Sequence, residues 1–301
     1  MPRTEAALTA VLAAALALSL SGSAASKAAA RVGPRQGPAP RVLLRLTADS
    51  GVVGHYKFVA NETHRLSYDI PAADPRASLL SSTRGPWQRT TEVALTMVSL
   101  AQSSDSTRRY VVYWLGYRLS GDEVRSLTSM QWDSIFRAAG RRASVTFTAV
   151  GEPRDVHVSS EAVQPVGEAL ASILGASPLR LPVDSVAAGD HWSGGVQVPV
   201  RRPDGTRARV IVRLDYELRR IEEEADGRYA RIQISGQPVR ADGDAEGVSG
   251  NYFGEAVFSV SAGRFERANA RAELEVQWPA GSEGLPPSRS LVEWSGEFSR
   301  V

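Results

Sequence analysis

The chain has 301 residues, 35 basic against 33 acidic, and no cysteine. Although the pI is about 9.0, the charges are nearly balanced and unclustered, which excludes the footprint of a nucleic-acid binder. The missing cysteine excludes disulfides, a thiolate nucleophile, a thiolate metal site and a lipobox anchor, so a core of apolar side chains must hold the fold alone.

Residues 1–25 have the layout of a cleaved secretory signal, with Arg3 ahead of an apolar run from Ala6 to Leu20 and small residues after it. That run is shorter than the roughly 20 residues needed to cross a bilayer. The expectation is a periplasmic or extracellular protein that is not membrane-embedded. Residues 26–40 are small, charged or Gly/Pro residues, expected to form a disordered tether, and residues 41–301 then read as a single β-rich domain.

From Tyr56 to Ile70 the even positions carry Tyr56, Phe58, Ala60, Leu66, Tyr68 and Ile70, and the odd ones Lys57, Asn61, Thr63, Arg65, Ser67 and Asp69. This two-residue period belongs to a strand with one wet face. His64 shares the apolar parity, as a hydrogen-bonded core histidine or a polar contact inside a cavity. His55 stands nine residues away on the opposite face and His157 alternates outward, so the histidines do not converge on a metal.

Two segments carry helical spacing instead. Asp122–Ala139 has a capping Ser120 or Asp122 and a stop at Gly140, and Ser160–Ile173 has Val163, Val166, Leu170 and Ile173 three or four apart. The stretch LPVDSVAAGDHW, Leu181–Trp192, follows. Its Gly-Asp pair signals a turn in which Asp190 would accept from backbone amides, and adjacent His191 and Trp192 point to opposite faces, exposed and buried respectively.

Beyond it a second meander starts, joined to the first near 160–192. Alternation returns from Arg207 to Arg219 and from Phe265 to Trp278, with turn signals at Val150–Pro153, Arg202–Gly205, Glu224–Gly227 and Ser261–Gly263. The acidic run Glu222–Glu224 blunts a hairpin tip. Asp242, Asp244 and Glu246 imitate the opening of a calcium loop, but the twelfth position is Phe253, so a solvated acidic loop and a weak cation site are both open readings.

Parallel strands covered on both faces would be continuously apolar, so the alternation argues for antiparallel pairing. About ten to twelve strands fit the alternating runs. Two helices cannot cover that many strands laid flat. The expected fold is therefore mainly β (α+β): one strongly curved antiparallel sheet, a half-barrel, clasping two covering helices, with two packed smaller sheets as the alternative. The inward row Ala268, Ala270 and Ala272 needs something to fill the missing volume, either a closely packed helix or a ligand cavity.

The segment L181-P-V-D-S-V-A-A-G-D-H-W192, with the strands around Tyr216 and Ala256 and the turn at Asp226-Gly227, resembles a family of exported bacterial β-rich proteins that carries no assigned site. In shape the chain is similar, more remotely, to the periplasmic lipoprotein-carrier half-barrel, which encloses an acyl chain. That likeness implies an apolar ligand and transfers no functional residue.

No G-x-S-x-G or H-E-x-x-H motif is present, and G247-V-S-G-N lacks the spacing of a nucleophile elbow. The expected function is a non-enzymatic exported protein that needs no cofactor and binds a hydrophobic small molecule or lipid between sheet and helices. The residues expected to line that space are His64, Tyr68, Val166, Leu170, Tyr216, Phe258, Ala268, Ala270 and Ala272. The alternative is an envelope interaction module whose partner is another exported protein, with an exposed apolar patch around Trp87, Trp114 or Tyr252. A cryptic hydrolase site is a third possibility.

Overall fold

The computed structural model describes residues 40–47, 51–71, 73–77, 86–100, 107–122, 142–158, 179–281 and 285–301. The expected signal, nearly all of the tether and, apart from Asp122 itself, both helical segments, with Val166 and Leu170, lie outside these residues.

The elements among the described residues are eleven strands. They are β1 (Val53–Tyr68), β2 (Trp87–Ser99), β3 (Thr107–Gly121), β4 (Arg142–Thr148), β5 (Pro153–Val158), β6 (His191–Arg201), β7 (Arg207–Glu224), β8 (Gly227–Ala241), β9 (Gly247–Ser259), β10 (Arg264–Trp278) and β11 (Ser288–Arg300). All belong to one sheet in the order β5-β4-β3-β2-β1-β11-β10-β9-β8-β7-β6. Every pairing is antiparallel. Two meanders thus meet where the first and last strands pair at the centre, from Tyr56 opposite Arg300 to Tyr68 opposite Ser288. The sheet stays open, with β5 and β6 as its edges.

Its curvature follows from what links its two flanks. Laid flat, β4 and β7 would stand about 38 Å apart at the usual strand spacing. Yet Leu181 donates its N–H to Val150 O, in the β4–β5 turn, and Gly189 donates to Leu218 O on β7. Eight residues of fully extended chain reach at most about 29 Å, and Ser290 Oγ on β11 lies 2.9 Å from Arg201 O on β6, five strand positions away, so the flanks curl toward each other. A second strap, residues 40–47, runs beside the first: Val42 and Val186 form an antiparallel bridge. It continues until Leu46 N–H reaches Ala149 O and Thr47 N–H reaches Gly263 O, both at 2.9 Å. Leu44 and Leu181, one on each strap, are buried.

The turn chemistry is local. Gly189 has φ +89°, a conformation that only glycine takes cheaply, and Asp190 Oδ2 accepts from Ala187 N–H at 3.0 Å to close the turn. Asp190 also meets Arg41 Nη2 at 2.8 Å, tying the two straps together. His191 is exposed as expected. Trp192 is only half-buried, because it lies on an edge strand: it stacks on Tyr216 at 5.5 Å and donates Nε1–H to Arg180 O.

Candidate ligand-binding site

Antiparallel register turns the inner face into rows that cross the strands. One row sets Ala60 of β1, Gly296 of β11, Ala270 of β10 and Gly254 of β9 side by side, all buried. On one side run Phe58, Phe298, Ala268 and Ala256, and on the other Glu62, Trp294, Ala272 and Tyr252. A Cβ placed on Gly254 would stand 2.6 Å from that of Ala270. The alanine run has a local cause here: Ala270 sits between Gly254 and Gly296, where the backbones approach too closely for a larger side chain, and beside Ala268 and Ala272 the rings of Phe298, Trp294 and Tyr252 take the volume.

The sequence-selected residues are therefore distributed along the inner face rather than around one point. Ala268, Ala270 and Ala272 adjoin one another, and Tyr216 extends the Ala270 row through Ile234. Phe258 packs edge-on against Phe265 at 5.0 Å, about 27 Å along the strand direction from the His64 row. Tyr68 is half-buried near the other end. Trp114 and Tyr252, named above for an exposed patch, are themselves buried at 3% and 0% exposure, whereas Trp87 is half-buried and the adjacent Leu115 and Phe253 are exposed. Asp244 engages Arg202, so the 242–246 loop offers one of its acids to an arginine instead of a cation. Among the described residues no group of three or more His, Asp or Glu side chains is placed to hold a metal ion.

At the Tyr68 end of the inner face a cleft of about 510 Å³ is lined by His64, Arg65, Leu66, Pro86, Trp87, Asp122, Arg201, Arg202, Gly205 and Ser290. It lies between the central strands and the β6–β7 turn. These meet because Ser290 Oγ on β11 donates to Arg201 O on β6 at 2.9 Å, across five strand positions of the curled sheet.

Behind the cleft is a buried ion pair. Glu62 and Arg89 face each other in register, each 3% exposed, and Arg89 Nη2 reaches Oε1 at 2.7 Å and Oε2 at 2.8 Å. Burial pushes the Glu62 carboxyl up, but the Arg89 charge and the His64 contact outweigh it and hold it down at about 2. His64 Nε2 lies 3.4 Å from Glu62 Oε2, while Nδ1 is sealed from solvent without a partner. The His64 ring meets Trp87 edge-on at 5.0 Å. Trp87 also carries Arg201 at 4.5 Å and Arg89 at 5.3 Å from its ring centre.

Carboxylate, histidine and serine within one cleft invite a nucleophilic reading. The hydroxyl of Ser290 does not suit it. Its proton goes to Arg201 O and its oxygen accepts from Trp278 Nε1–H, both at 2.9 Å, so it is held by structure and not by His64.

Sequence reasoning placed His64 inside and missed its partners. Glu62 shares the parity of Phe58 and Ala60, a signal that was legible; Arg89, Trp87 and Arg201 join only through strand register and curvature.

No protein-family model matches the chain, and no curated protein matches it in sequence. Among solved structures the chain is similar to DynF from the dynemicin biosynthesis pathway of Micromonospora chersina, at 7% identity and a TM-score of 0.21, covering 91% of this chain and 92% of that one. A score that low carries no argument. No helix among the described residues is long and apolar enough to cross a membrane, which says nothing of strands.

Proposed function

We propose that this is a non-enzymatic, exported binding protein that holds an apolar ligand, a lipid or acyl chain, in a cleft at one end of the concave side of its curved sheet. We include in that proposal the secretory signal of residues 1–25 and membership of the exported β-rich family that the LPVDSVAAGDHW segment suggests. The observation that carries it is the cleft at the end of the inner face. Its volume falls in the range of small-molecule sites, and Leu66, Pro86 and Trp87 give it an apolar wall that leads toward the buried aromatic and aliphatic side chains of β1, β10 and β11. Ligand entering there would exchange water for apolar surface, the dominant favourable term for such compounds.

Titration with a fluorescent polyene fatty acid tests it. The expected result is saturable binding with energy transfer from tryptophan, weakened when Leu66→Asp charges the wall. Emission that never saturates, or that is unchanged by the substitution in a folded protein, contradicts it.

A further inference from the structure

The arginines around the two clefts are matched differently. In the cleft formed by Glu224, Asp226, Tyr229, Arg231, Arg264, Glu266, Arg267 and Arg300, three arginines are answered by acids, Arg231 by Glu222 and Glu224, and Arg264 and Arg300 by Glu266, while Arg267 points its charge into solvent. At the His64 cleft, Arg65 has Glu293 at 3.6 Å and Arg202 has Asp244. Arg89, behind it, has Glu62. Arg201 differs: among the described residues no carboxylate or hydrogen-bond acceptor meets its guanidinium, whose Nε is sealed from solvent, and its charge rests on the face of Trp87.

The Nη groups of Arg201 are not sealed as Nε is, so they can take an acceptor supplied from outside the chain at the cleft wall. The planar fork of arginine suits a planar two-oxygen anion. Of the three arginines in the cleft lining, Arg65 and Arg202 are neutralised by Glu293 and Asp244, which leaves Arg201 as the one open to an added anion. Asp122 of the lining is occupied, accepting from Gln88 N–H at 2.9 Å.

We propose that the His64 cleft is a carboxylate site: the Arg201 guanidinium, fixed over Trp87, receives the acid group of an acyl ligand whose first carbons lie along Leu66, Pro86 and Trp87. This rests on the apolar-ligand reading for the tail only; the head group is read by Arg201 independently. No bond is made or broken, and the ligand leaves as it came.

Calorimetric titration of the full chain with sodium decanoate, decanol and sodium butyrate separates the two. The proposal expects decanoate to bind about tenfold or more tightly than decanol, the size of a charge-assisted hydrogen bond. Arg201→Gln should bring decanoate down to the affinity of decanol, and Arg201→Lys should restore part of the gap. Equal affinity for decanol and decanoate overturns the carboxylate site and leaves the apolar-ligand reading standing. Butyrate binding as tightly as decanoate, with Arg201→Gln abolishing it, supports the site and contradicts the tail. Binding of none of the three overturns both. The comparison of decanoate with decanol needs no variant, so it decides even if Arg201→Gln does not fold.

Discussion

Two neighbouring rows on the concave face solve burial in opposite ways. At its centre the row of Ala60, Gly296, Ala270 and Gly254 has no side-chain polar atom at these four positions and is closed by close approach of backbones. Two residues along β1, the next row carries a carboxylate and a guanidinium, each as buried as the alanines. In the first row the stability comes from small size, and any added atom is a clash. In the second it comes from mutual neutralisation, and any removed partner leaves a charge stranded in a poorly polarisable interior.

The largest expected effect breaks the second row. Arg89→Ala strands Glu62 and should cost about 3 to 5 kcal/mol in a urea unfolding experiment. The paired replacement Glu62→Gln with Arg89→Met should recover most of that loss; equal destabilisation by the single and double variants would mean that packing, not charge pairing, sets the cost.

Acid acts on the same pair. The folded Glu62 carboxyl is held at about 2, below its ordinary 4.5, so the stabilisation it contributes is complete above 4.5 and drains away as pH falls from there toward 2. Unfolding midpoints measured down that window should decline, and the slope should flatten in the Glu62→Gln, Arg89→Met protein. An unchanged slope would place the acid sensitivity elsewhere.

The first row is tested by addition. Gly254→Ala puts a methyl 2.6 Å from Ala270 Cβ and from Asn269 O, and the sheet must open to take it. A loss of about 1 to 3 kcal/mol is expected by thermal or chemical melting, and neutrality would show that the curvature there is soft. The smallest effect belongs to the edge: Trp192→Phe keeps a ring on Tyr216 and loses only the Nε1–H bond to Arg180 O, about 1 kcal/mol.

The contrast between rows also explains what was legible beforehand. Side-chain alternation is a local property, so the strands of Arg207–Arg219 and Phe265–Trp278, their antiparallel class and the turns at Gly151, Gly205, Gly227 and Gly263 could be read from short windows of sequence. Register is not local. Glu62 finds Arg89, 27 positions away in sequence, only because β1 and β2 pair, and Arg201 reaches Trp87 only because the sheet curls across strands that are distant in order. The alanine row was visible as an anomaly, yet its cause lies in Gly254 and Gly296 on the neighbouring strands. Trp192 was expected to be fully buried because alternation assigns a face without revealing that β6 is an edge.

The proposed acyl ligand, in the cleft at the end of the concave side, is open to native mass spectrometry of the protein purified from its own source, without detergent or added lipid. A bound species in about one-to-one ratio is expected, whose released mass is that of a long-chain acid and which is lost from the Arg201→Gln protein. A ligand-free spectrum, from a protein that also fails to take up added decanoate, would contradict the proposal.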